Sequence, residues 1–97
     1  MNAPSSQGLY LFHFTPRYQH AGHRLGWASN IARRVDEHLG GGRRGSPLVR
    51  AAMRAGCRVE LARVWDDGSR SLEARLKRQG GLSRHCPICR ATGTYHR

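Results

Sequence analysis

Ninety-seven residues make one domain with a modest core and a single site, too few to add a separate specificity domain to a catalytic one. Seventeen Lys and Arg against six Asp and Glu leave a net charge of +11, beyond the roughly 2–8 that solubility asks of a small domain; the surface field draws polyanions, and nucleic acid is the expected partner. No apolar stretch nears the roughly 20 residues of a membrane span, and residues 1–7 lack a signal sequence's charged and apolar blocks, so no membrane partner is expected and the expected compartment is the cytoplasm.

Residues 1–7 are small and polar and are expected to be disordered. Leu9-Tyr10-Leu11-Phe12-His13-Phe14 is β-prone throughout and reads as a first strand, with Tyr10, Phe12 and Phe14 on one face. After a loop containing Pro16 and Gly22, residues 23–27 form a second short strand, most simply a hairpin partner of the first. Ser29 or Asn30 can cap a helix over residues 31–39, whose apolar Ile31, Val35 and Leu39 recur every four residues and which Gly40-Gly41-Gly42 ends. Arg34 and His38 are i,i+4 neighbours on it. A guanidinium beside an imidazole suits a phosphoryl group, which needs charge neutralisation and a proton carrier.

The loop of residues 40–45 is glycine-rich and basic, and Arg43 and Arg44 are candidates to track a nucleic-acid backbone or, equally, solvated connector charges. It has no Walker-type Gly-Lys-Ser/Thr ending. Ser46 as cap, Pro47 in the first turn and Gly56 after the last bracket a helix over residues 47–55, with Leu48, Ala51, Ala52 and Ala55 as its small-residue face. Residues 57–65 read as a third strand with Cys57, Val59 and Leu61 facing one way, and Asp66-Asp67-Gly68 turns the chain. A third helix over residues 71–79 carries Leu72 and Leu76 as its stripe and Glu73 and Lys77 as an i,i+4 pair, stopped by Gly80-Gly81. The order is ββααβα, an α/β chain of the α+β kind, with a basic tail over residues 80–97.

Three cysteines, an odd number, argue for metal or free thiols in a reducing compartment over a disulfide framework. Cys86-Pro87-Ile88-Cys89 supplies two soft ligands at the spacing of zinc knuckles, which is half of a tetrahedral site. His20 and His23 offer an equivalent pair beside the second strand, with Cys57, His85 and His96 as other candidates. Zn²⁺ there would tie the basic tail to the hairpin; the alternative is two unligated thiols.

With this order of elements, the chain resembles the GIY-YIG nuclease family over roughly residues 8–79. Gly8-Leu9-Tyr10 stands at the first motif and Arg24-Leu25-Gly26 at the second. Asn30-Ile31 with Arg34 and His38 matches the family's helix pattern, and Glu73 followed by Leu76-Lys77 matches its late metal-binding glutamate. The resemblance implies a three-stranded antiparallel sheet flanked by three helices. It also implies a metal-dependent endonuclease that hydrolyses DNA phosphodiesters to 5′-phosphate and 3′-hydroxyl ends.

By that resemblance Tyr10 would take the attacking water's proton, with His38 assisting and relaying it; an ordinary phenol is protonated at neutral pH, so the role requires nearby cations. Arg34 would supply that field and bind a non-bridging oxygen, and Glu73 would hold one Mg²⁺ or Mn²⁺ at the leaving oxygen. Arg33, Arg43, Arg44 and Lys77 would contact the nucleic-acid backbone. Arg24 replaces the family's second-motif tyrosine; it can clamp phosphate, but a guanidinium only donates. Ala28 stands where Thr is common, and no asparagine follows Glu73. A second reading is therefore a nucleic-acid-binding module of the same fold with weakened chemistry, zinc-stabilised. A third is a zinc-stabilised partner subunit in a larger complex. Specificity would come from a partner protein or a homodimer.

Overall fold

The computed structural model describes residues 6–93. Its first strand, β1 (Gly8–Tyr18), lies between β2 (Ala21–Ala28) and β3 (Arg58–Asp66) in an antiparallel sheet of order β2-β1-β3. That central place explains why β1 reads as an almost unbroken apolar run: both of its faces are covered. Tyr10, Phe12 and Phe14 pack with Ile31, Val35, Val49 and Ala52 on one side of the sheet, while Leu9 and Leu11 pack with Leu25, Leu76, Cys86 and Cys89 on the other. Each large side chain so buried stabilises the fold by about 1.5–3 kcal/mol.

Four helices complete the chain: α1 (Ile31–Leu39), α2 (Pro47–Arg54), α3 (Arg70–Gln79) and α4 (Pro87–Thr92), the last preceded by a 3₁₀ turn, Leu82–His85. The expected ββααβα order is present, with α4 added. Asn30 caps α1 by accepting the Arg33 N–H at 3.0 Å, and the Ser46 and Ser69 hydroxyls cap α2 and α3 through the Leu48 and Leu72 amides. On α1 the buried positions are Ile31, Val35 and His38, whereas Leu39 is exposed. The helix thus turns a histidine, three residues after Val35, into the core where the four-residue spacing places Leu39. On α2, Val49 and Ala52 are buried, with Leu48 and Met53 packed beside them.

The hairpin is longer than expected. β1 runs past Pro16 to Tyr18, which pairs with Ala21 around a tight turn at Gln19 and His20, Gln19 taking a φ of 55°. Pairing is irregular between His13 and Tyr18, where Pro16 has no N–H to give. On the other side, Leu11 faces Arg63 while Phe12 faces Leu61, so Ala62 is an extra residue in β3. This bulge lets Val59 and Val64 both reach the first core while Ala62 and Trp65 reach the second.

Residues 6 and 7, at the end of the segment expected to be disordered, are held against the sheet and α1. The Ser6 carbonyl accepts the Ile31 N–H at 3.1 Å, and the Gln7 carbonyl accepts the Asp67 N–H at 2.8 Å. In the segment read as a basic tail, the described residues 80–93 pack onto the sheet: Cys86 and Cys89 are fully buried, and Leu82 and Ile88 pack against the second core. Among the described residues, no helix is long and apolar enough to cross a membrane.

Candidate active site and metal centre

Tyr10 lies opposite Gly26 in the β1–β2 ladder, and a Cβ at Gly26 would sit 2.3 Å from the tyrosine oxygen. Only glycine leaves room for the ring. From α1, the His38 imidazole brings Nε2 to 2.8 Å from Tyr10 Oη. The other ring nitrogen, Nδ1, accepts the Ser46 backbone N–H at 2.9 Å. An accepting Nδ1 leaves the ring proton on Nε2, so His38 donates to Tyr10. Burial, then Arg34, then Arg24 push His38 down to about 4, and the ring stays neutral at physiological pH. The expected relay is thereby corrected: His38 has no free lone pair for Tyr10's proton and acts as a fixed donor to its oxygen.

The glycine-rich loop makes this possible. A Cβ at Gly45 would come within 2.9 Å of the Glu37 carbonyl oxygen, so a glycine there lets the loop close on the end of α1 and aim the Ser46 amide at His38. Arg43 and Arg44 are exposed on that loop.

Arg34 Nη1 donates to Glu37 Oε1 at 3.0 Å and also to the Arg44 carbonyl, and its guanidinium faces the Tyr10 hydroxyl. Glu37, which sequence reasoning missed, is the hub: its Oε2 lies 3.7 Å from Arg33 Nε and 4.0 Å from Arg44 Nη1. The hydrogen bond from Arg34 is the main cause holding its carboxyl below the usual range. The signal was present, a glutamate three and four residues after two arginines on one helix. Arg24 pairs with Phe12 and shares Gly26's face of β2; its Nε is buried and, among the described residues, is the one such side-chain atom without a hydrogen-bond partner. A cleft of about 330 Å³ opens beside this group, lined by Trp27, Ala28, Ser29, Asn30, Arg33, Arg34, Glu37 and Arg70.

Glu73 stands apart. It is carried by α3, whose Leu72 and Leu76 pack into the second core on the opposite face of the sheet. Its Oε2 pairs with Lys77 Nζ at 3.1 Å, and among the described residues no hydrogen bond joins it to Tyr10, Arg34 or His38.

A second cluster gathers His13, His23, Cys86 and Cys89, whose ligand atoms all lie within 4.8 Å of one another and could hold a metal ion. This corrects the expected set, since His20 is exposed at the hairpin turn and His13 takes its place. The reason is register: His13 and His23 are direct cross-strand partners, a relation hidden until the turn is placed. Cys57 packs against the first core, His85 lies against Trp65 at 6.2 Å, and His96 falls outside the described residues. Comparison of the chain with protein-family models, with curated proteins and with solved structures gave no significant match.

Proposed function

We propose that the chain is a metal-dependent endonuclease of the GIY-YIG type, cutting DNA phosphodiesters to leave 5′-phosphate and 3′-hydroxyl ends. The observation that carries this reading is the Tyr10 oxygen held by a neutral His38 donor and faced by the Arg34 guanidinium, with Arg24, whose buried Nε–H has no partner, close enough to act on His38. A buried donor without a partner costs about 1–3 kcal/mol, and a phosphate oxygen would satisfy it.

In this mechanism Tyr10 gives its phenol proton to solvent through the cleft, the Nε2–H of His38 and the charge of Arg34 stabilise the resulting tyrosinate, and the tyrosinate takes the proton of the attacking water. Tyr10 is only 2% exposed, so a phosphate reaches it through the polar cleft as Arg34 exchanges Glu37 for a non-bridging oxygen. Arg24 Nε–H supplies a second donor to the developing charge. Arg33, Arg43 and Arg44 lie exposed for flanking phosphates, a contact that reads charge and not sequence. The start of α3 reaches the cleft through Arg70, one turn before Glu73, so the Glu73 carboxylate, a hard oxygen donor, would hold Mg²⁺ or Mn²⁺ from that side, and the ion would supply charge neutralisation at the leaving oxygen. Lys77 must then release the carboxylate. The softer His/Cys set fits Zn²⁺ as a separate ion.

Cleavage of supercoiled plasmid with Mg²⁺, Mn²⁺ or EDTA tests the reading. Wild type should nick with either metal and not with EDTA, Arg34→Ala should be at least about 100-fold slower, and Glu73→Ala should be inactive. Equal rates for wild type and Glu73→Ala would remove Glu73 from the metal role. The clamp of Glu37 on Arg34 favours a second reading, a binding module with the chemistry lost. Salt-sensitive binding without cleavage in any metal would select it.

A further inference from the structure

We propose that His13 Nδ1, His23 Nε2, Cys86 Sγ and Cys89 Sγ bind one Zn²⁺ in a closed structural site that fastens the C-terminal segment to the β1–β2 hairpin and fixes the register seating Tyr10. The metal site stands on its own donor geometry, and only its effect on Tyr10 chemistry rests on the proposed nuclease function.

Four of the six separations between donor atoms match a coordination tetrahedron, and all six fall within 4.8 Å. With Zn–N of about 2.0–2.1 Å and Zn–S of about 2.3 Å, tetrahedral angles set N···N near ~3.3 Å and N···S near ~3.5 Å. His13 Nδ1 lies 3.3 Å from His23 Nε2, 3.4 Å from Cys86 Sγ and 3.6 Å from Cys89 Sγ, and Cys89 Sγ lies 3.4 Å from His23 Nε2. Hydrogen bonding does not account for this convergence, because one ring nitrogen offers either one proton or one lone pair and here faces three donor atoms. A cation at the centre satisfies all four at once.

Charge points the same way. Two thiolates, two neutral imidazoles and a divalent ion sum to zero, as burial beside Leu9, Leu11, Leu25 and Leu76 demands. Binding sends the two thiol protons to solvent, and no electron moves. Both cysteines are fully buried and four protein atoms complete the shell, which leaves no open position for water or substrate. The mixed nitrogen and sulfur set selects against Mg²⁺ and Ca²⁺.

The chain is shaped to deliver these ligands. Cys86 stands at the N-cap of α4 and Cys89 in its first turn, with the Cys86 N–H bonded to the Ser83 carbonyl at 3.2 Å. His13 and His23 are cross-strand partners, as are Tyr10 and Gly26 in the same ladder. A one-residue slip of the hairpin would break the metal site and push a side chain into the tyrosine ring together. The ion therefore joins residues 73 and 76 positions apart and holds the register on which the tyrosine depends.

Metal analysis of the full chain, purified without added metal and then given one equivalent of Zn²⁺ followed by desalting, tests the assignment. The expected content is about one zinc per chain, falling at least fivefold in Cys89→Ser and His13→Ala and unchanged in His20→Ala. Should those variants fail to fold, wild type loaded with Co²⁺ must show the intense visible bands of a tetrahedral two-thiolate complex. Less than about 0.2 zinc per chain, weak octahedral Co²⁺ bands, or full zinc content in a folded His13→Ala would overturn the site. None of these readouts uses cleavage, so failure of the nuclease reading leaves the zinc result intact, and the reverse.

Discussion

Tyr10 and Gly26 form the tightest constraint at the residue scale, because the ring occupies the space a Cβ would need at 2.3 Å. Gly26→Ala should displace the ring, cost about 1–3 kcal/mol as overpacking, and lower the thermal midpoint by several degrees, with loss of any cleavage. An unchanged melt would contradict the contact. His38 gives a signed pH effect. Its pKa falls from the ordinary 6.5 to about 4 on folding, chiefly through burial. Below pH 6.5 the unfolded chain takes up a proton that the folded chain refuses, so stability falls as pH drops toward 4 and by about 3 kcal/mol in all. Urea melts at pH 7 and 4.5 should therefore show wild type losing about 2–3 kcal/mol more than His38→Gln. Arg24→Tyr removes the buried Nε–H assigned to the developing charge and should lower the cleavage rate. An unchanged or higher rate would take that donor role away from Arg24.

At the scale of elements, α1 and the loop after it form one unit. The helix supplies Arg33, Arg34, Glu37 and His38, and the loop closes on it through Gly45 to deliver the Ser46 amide. Glu37→Gln should loosen three arginines at once and tighten DNA binding at low salt, and a weaker complex would show instead that Glu37 positions Arg34 for phosphate. Much of this was legible in the sequence: caps, helix limits and the Arg34/His38 spacing follow from local chemistry. What was not legible depended on pairing between distant residues. His20 and His23 look like a ligand pair by spacing, yet the turn at Gln19 and His20 sends His20 to solvent and matches His23 with His13. Leu39 fits a four-residue apolar period, yet the core takes His38, because a polar ring with both nitrogens satisfied can be buried there. The β3 bulge had no signal in alternation alone.

The whole molecule is a thin sheet with two cores, one backing Tyr10 and His38 and the other backing the His/Cys cluster, and β1 belongs to both. A chain this small gains from a metal cross-link, because its apolar burial is limited. Its charge of +11 should make DNA binding steeply salt-dependent through counterion release, with affinity falling at least about tenfold between 50 and 200 mM salt for even a few phosphate contacts. Binding alone does not separate an enzyme from a basic module that has lost its chemistry; turnover at the tyrosine does. The most direct measurement is the initial rate of supercoiled-plasmid nicking in Mn²⁺ by wild type and Tyr10→Phe, matched for zinc content and thermal midpoint. Wild type should nick, at a rate at least about 100-fold above that of the protein without the hydroxyl. Equal rates, or no nicking by the folded wild-type protein, would contradict the proposed nuclease function.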